Sequence, residues 1–101
     1  MTARAVHVIG AGLAGLSAAL RLAQAGQRAV LHEAGGVPTD LISLRIYVTD
    51  KKLYTSRTKE LGAVYRELMG THYPAMALLE VKDLLENGAL VEIEGLAVIS
   101  S

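Results

Sequence analysis

Cysteine, tryptophan and phenylalanine are all missing from this 101-residue chain, and proline occurs only twice. Without cysteine there are no disulfides and no thiolate metal ligands. Without Phe or Trp, the interior has to be filled by Leu, Ala, Val, Ile and four Tyr. Neither sign of charge is in surplus, because ten basic and ten acidic side chains cancel. That balance argues against a dedicated nucleic-acid binder, which carries a basic surplus. No apolar run reaches the roughly 18 residues of a membrane span. No leader of basic patch, apolar core and cleavage site is expected, since Arg21 and Arg28 follow the apolar stretch instead of preceding it. His7, His32 and His72 form no i, i+4 pair and no ligand spacing, so no metal site is expected. What is present, 51% hydrophobic and 20% charged, suits one small hydrophobic core. These bounds lead to a single cytoplasmic α/β domain over residues 1–101.

Ala5-Val6-His7-Val8-Ile9 reads as a short buried strand that Gly10 stops. Leu13, Leu16, Leu20 and Ala23 then share one stripe at helical spacing, in a run rich in the strongest helix formers. Residues 27–34 leave two readings open. Ala29 to Glu33 can be a second strand, parallel to the first, after a turn at Gly26. Alternatively one long helix over roughly residues 13–34 ends at Gly35-Gly36, with Gly26 costing about 1 kcal/mol relative to Ala. Further on, Ile42, Leu44, Ile46 and Val48 alternate with polar residues as a half-buried strand. Asp50-Lys51-Lys52 reads as a turn, and Ser56 as the cap of a helix striped by Leu61, Val64, Tyr65, Leu68 and Met69. Strands are expected at residues 75–81 and 89–99, with a turn or single helical turn at residues 82–86 between them.

The most specific local motif is Gly10-x-Gly12-x-x-Gly15, placed after a strand and opening a helix. Glycines there permit a tight turn and close backbone approach to a pyrophosphate, while the helix N-terminus offers free N–H groups. Glu33 follows at about the distance of an acid that grips a ribose hydroxyl. Residues 6–33 resemble the first β-α-β unit of flavin-dependent amine oxidases and squalene-associated flavoproteins. That resemblance implies FAD binding through Gly10, Gly12, Gly15 and Glu33. It ends at Gly35-Gly36, which is followed by Val37 in place of the arginine of that family.

Four later blocks carry a second resemblance. They are Ala29 to Gly36, Leu44-Arg45-Ile46-Tyr47-Val48-Thr49-Asp50, Tyr73-Pro74-Ala75-Met76 through Val81, and Val91-Glu92-Ile93-Glu94 through Val98. In this order they are similar to the Rid family of enamine/imine deaminases. The resemblance implies a chorismate-mutase-like mixed sheet of four or five strands with two main helices on one face. It also implies a homo-oligomer, a trimer by preference, with ligand clefts between subunits. Glu92 falls where the family places the glutamate that positions the hydrolytic water. The substrate-binding arginine is replaced by Met76, read as core packing, and a family asparagine by Gly62.

Taken together, the two likenesses describe a recombined or engineered chain. Residues 1–36 form a dinucleotide-fold-like segment of Rossmann origin, and residues 37–101 a Rid-like one. The function expected is a Rid-like scaffold without native catalytic activity and without a cofactor, associating through its sheet. The alternatives are FAD or nucleotide binding at the glycine turn, and residual imine deamination through Glu92. Neither a nucleic acid nor a membrane is expected as partner.

Overall fold

A computed structural model describes residues 2–10, 16–85 and 88–99, with residues 2–10 and Leu68 described by backbone alone. The stripe that opens the first helix does not stop at Gly26. Leu16, Ala19, Leu20, Ala23, Gln24, Gln27 and Leu31 are all buried along one helix, α1 (Leu16–Glu33). This settles the open reading of residues 27–34 and corrects the strand alternative at Ala29 to Glu33. Gln27 and Leu31 continue the 3.6-residue period, and Val30, which a buried strand would hide, is 41% exposed. The end of the helix is also specified. Gly36 N–H donates to Leu31 O (2.7 Å) and Gly35 N–H to His32 O (3.0 Å), with Gly35 at φ 84°. This double closure is a Schellman motif, whose positive φ glycine adopts without a Cβ clash.

After a 3-10 turn at Pro38–Asp40 come β2 (Leu41–Val48), α2 (Lys51–Ser56), α3 (Thr58–Met69), β3 (Ala75–Glu80) and β4 (Val91–Ile99); β1 is Thr2–Gly10. The four strands form one sheet in the order β1-β4-β2-β3. β4 runs antiparallel to both β1 and β2, and β2 runs parallel to β3. β1, α1 and β2 therefore make a split β-α-β unit with β4 inserted between its strands. α1 and α3 cover one face of the sheet, where Leu44, Ile46, Val48, Val91, Ile93 and Ala97 meet Leu20, Leu31, Leu61 and Val64. This is the expected mixed sheet with two main helices on one face.

Three local expectations are corrected. Ile42 does not join the buried face of β2. A bulge between Leu41 and Ser43 puts Leu41 inward and leaves Ile42 49% exposed, because the extra residue shifts the alternation by one. Asp50-Lys51-Lys52 is a helix start, since the Asp50 carboxylate accepts from Leu53 N–H (3.0 Å) and caps α2. Ser56 therefore ends α2, donating to Leu53 O (2.8 Å), and does not cap α3. Residues 82–85 form bends and no helical turn; Glu86 and Asn87 lie outside the described residues.

Candidate functional site

Because β3 is an edge strand, all six of its residues are exposed. Its register pairs Met76 with the inward-facing Leu44, so Met76 points to the helix side of the sheet. There it reaches a hollow of about 210 Å³ beside α3. Leu61, Gly62 and Tyr65 of α3 form one wall, with Tyr54, Thr58 and Tyr73 completing the lining. Met76 is 45% exposed and is not the core residue the sequence suggests. Gly62 and Met76, 14 positions apart in the chain (76 − 62), are thus brought to one site. None of the seven lining side chains carries a charge at neutral pH.

The aromatic wall is well ordered by its contacts. Tyr65 and Tyr73 stack with ring centroids 4.9 Å apart and planes 19° from parallel. The Tyr65 hydroxyl donates to His72 O (2.7 Å), and His72 Nε2 donates to Leu41 O (2.8 Å), which ties the loop before β3 to β2. Burial of the Tyr65 ring, followed by the neighbouring Tyr73 and Tyr54, pushes its phenol up to about 12. Burial also raises the Tyr54 phenol.

A pH prediction follows from Tyr65. Its folded-state value lies above the ordinary 10.0. Its contribution to stability is therefore fully present below about pH 10 and is lost as pH rises through about 12. An alkaline titration of phenolate absorbance should show a late-ionising fraction to which Tyr54 and Tyr65 both contribute, and Tyr65→Phe should remove its latest part. A titration of the wild type in which all four tyrosines ionise together would show the ring to be unburied.

Glu92 lies elsewhere. It pairs with Tyr47 across β2–β4, one residue out of phase with the buried Ile93, and so stands on the face that no helix covers. It lines a second hollow with Tyr47, Asp83 and Glu94; Glu94 accepts a 3.0 Å ion pair from Arg45. Within the single chain, then, the Met76–Gly62 pair and Glu92 are on opposite faces of the sheet. No spacing argument from sequence reveals that division. The strand registers do.

The residues expected to hold a dinucleotide are arranged differently from a Rossmann half. Gly10 closes β1, while Gly12 and Gly15 lie outside the described residues. Glu33 is the exposed last residue of α1 and does not end a second strand beside β1. The strand hydrogen-bonded to β1 is β4, antiparallel to it. His32 is likewise on α1, and of His7 only the backbone, in β1, is described. Among the described residues no helix is long and apolar enough to cross a membrane.

Comparisons with known proteins agree with this architecture. A family model described as Endoribonuclease L-PSP matches residues 13–99, beginning inside the segment that resembles the flavoproteins and taking in α1. A search of the curated proteins gave no match. Among solved structures, a YjgF-family protein from Mycobacterium tuberculosis is 34% identical with a TM-score of 0.77, over 92% of this chain and 75% of its own. RidA from an Antarctic Psychrobacter is 28% identical with a TM-score of 0.73, over 85% and 66% of the two chains. The YjgF gene product of E. coli shares 21% identity and the fold, with a TM-score of 0.81 over 97% of this chain and 81% of its own.

Proposed function

The chain belongs to the endoribonuclease L-PSP family, also called YjgF or Rid, and from that premise we propose that it is a self-assembling Rid-type binding subunit without imine deaminase activity. One observation carries this reading. Where the family resemblance places an arginine to hold the substrate carboxylate, the hollow has Met76, and no other lining side chain is cationic. A guanidinium binds a carboxylate through two parallel charge-assisted hydrogen bonds, and a thioether supplies neither charge nor donor.

Self-assembly has its own support. β3 leaves Leu78 and Leu79 exposed on an uncapped edge, and Leu96 is exposed on the open face of the sheet. Exposed apolar strands of this kind invite pairing with another copy. The opposed placement of Met76 and Glu92 adds a second argument. A cleft containing both positions forms only when the helix side of one subunit meets the open face of the next.

Two measurements test the reading. Hydrolysis of an imine derived from an α-amino acid should proceed at the uncatalysed rate, equally for wild type and Glu92→Ala. Acceleration by the wild type would overturn the non-catalytic assignment, and its loss in Glu92→Ala would place Glu92 in the reaction. Sedimentation equilibrium should give about three times the 10.7 kDa chain mass. A monomer at working concentration would overturn the assembly.

A further inference from the structure

We propose that the Met76 hollow takes an uncharged planar molecule of one or two rings, stacked along the Tyr65–Tyr73 wall and hydrogen-bonded to Tyr54. This deepens the reading of the hollow as a binding site and rests on it. Size is the first argument. A cavity of about 150 Å³ holds benzene, and this one measures about 210 Å³, enough for a fused bicycle.

Charge is the second argument. With Thr58 and the phenols as the only polar side chains among the seven lining residues, a carboxylate or ammonium entering the hollow would lose water and find no counter-ion in the lining itself; the exposed Arg66, whose Nη1 lies 3.3 Å from where a Gly62 Cβ would stand, is not one of the lining residues. An uncharged ligand avoids that penalty.

Surface chemistry is the third. Tyr65 is buried and its hydroxyl is committed to His72 O, so it serves as the fixed backing of the stack. Tyr73 is 57% exposed and offers aromatic surface for an incoming ring. Met76 adds a polarisable thioether, which favours contact with aromatic edges and adapts to ring shape. The Tyr54 hydroxyl makes no hydrogen bond among the described residues, which leaves it to meet one polar group on the ligand.

The test is calorimetric titration of the full chain, in its native oligomeric state, with indole and with indole-3-carboxylate. Indole should bind saturably, one per chain, at least about tenfold more tightly than its carboxylate, a difference of about 1.4 kcal/mol. Tyr73→Ala should weaken indole at least about fivefold, the loss of one aromatic stacking contact. Gly62→Leu should abolish binding by filling the hollow. It leaves the helix intact, because a Cβ at residue 62 meets only the flexible end of Arg66, at 3.3 Å, and Leu favours helix over Gly. A cooperative melting curve for each variant is the check that it is folded.

Absence of saturable indole binding, as when a neighbouring copy fills the hollow, overturns the proposal. So does equal or tighter binding of the carboxylate, or unchanged affinity in folded Gly62→Leu. The two readings fail separately. Imine hydrolysis by the wild type would defeat the non-catalytic assignment whatever indole does, and a null titration would defeat the ligand class whatever the hydrolysis assay shows.

Discussion

Gly95→Val should lower the stability of the fold by about 3 kcal/mol, at the upper end of overpacking costs. Gly95 sits in the middle of β4, one of the two strands with neighbours on both sides, and faces inward beneath α1. A Cβ there would lie 2.6 Å from Gln27 Nε2, 2.8 Å from Leu41 Cδ2 and 3.2 Å from Leu44 Cδ2. All three neighbours are buried, so none can swing into solvent. For a domain of this size each kcal/mol shifts the melting midpoint by roughly 4–8 °C. A drop of more than about 10 °C is therefore expected in a thermal melt, with a matching fall in the urea midpoint.

The same contact predicts a suppressor. Gln27 Nε2 and Gln24 Oε1 are buried without a hydrogen-bond partner among the described residues. Trimming Gln27 to Ala removes an unsatisfied amide, relieves the shortest contact and keeps a strong helix former. In a double-mutant cycle, Gly95→Val should cost about 1 kcal/mol less in the Gln27→Ala background. Additive losses would mean that helix and strand do not meet at this point.

Much of this packing is legible from the residues, and the exceptions have identifiable causes. The α1 stripe from Leu16 to Leu31 is readable because period, propensity and the Gly35-Gly36 stop agree. Residues 27–34 stay ambiguous in isolation, since a buried Gln27 looks like a break in the apolar pattern until its place against Gly95 is known. Ile42 is misplaced because alternation alone cannot show a one-residue bulge. Met76 looks like core by composition and is exposed by topology, because nothing local marks residues 75–80 as the edge strand.

The candidate site divides in the same way. The family resemblance picks out Gly62, Met76 and Glu92 from the sequence. That the first two share a hollow while the third stands behind the sheet depends on strand register and helix placement, both of them tertiary facts. The dinucleotide motif shows the opposite case. A strand, a glycine turn and a helix also begin a split β-α-β unit, so the local order fits either fold. The insertion of β4 beside β1 separates the two.

Met76→Arg should strengthen binding of a simple aromatic carboxylate such as benzoate by about 10- to 100-fold, from about 1.5–3 kcal/mol of charge-assisted hydrogen bonding. It should weaken indole in parallel. The fold should tolerate the change, because residue 76 lies on an edge strand and is 45% exposed, so the longer side chain has solvent to extend into. If the rest of the family cleft is in place, the variant should also hydrolyse an α-amino-acid-derived imine above background, and Glu92→Ala should remove that gain. Because residue 76 and Glu92 occupy opposite faces of one sheet, the two groups must come from different subunits. Inactive Met76→Arg/Glu92→Ala chains, unfolded and refolded together with wild-type chains, should therefore regain hydrolysis at the mixed interfaces, where the arginine of one meets the Glu92 of the other. Activity in Met76→Arg that survives Glu92→Ala, or a mixture that stays silent while the single variant works, would place the water-positioning group on the same subunit as residue 76 or remove Glu92 from the role.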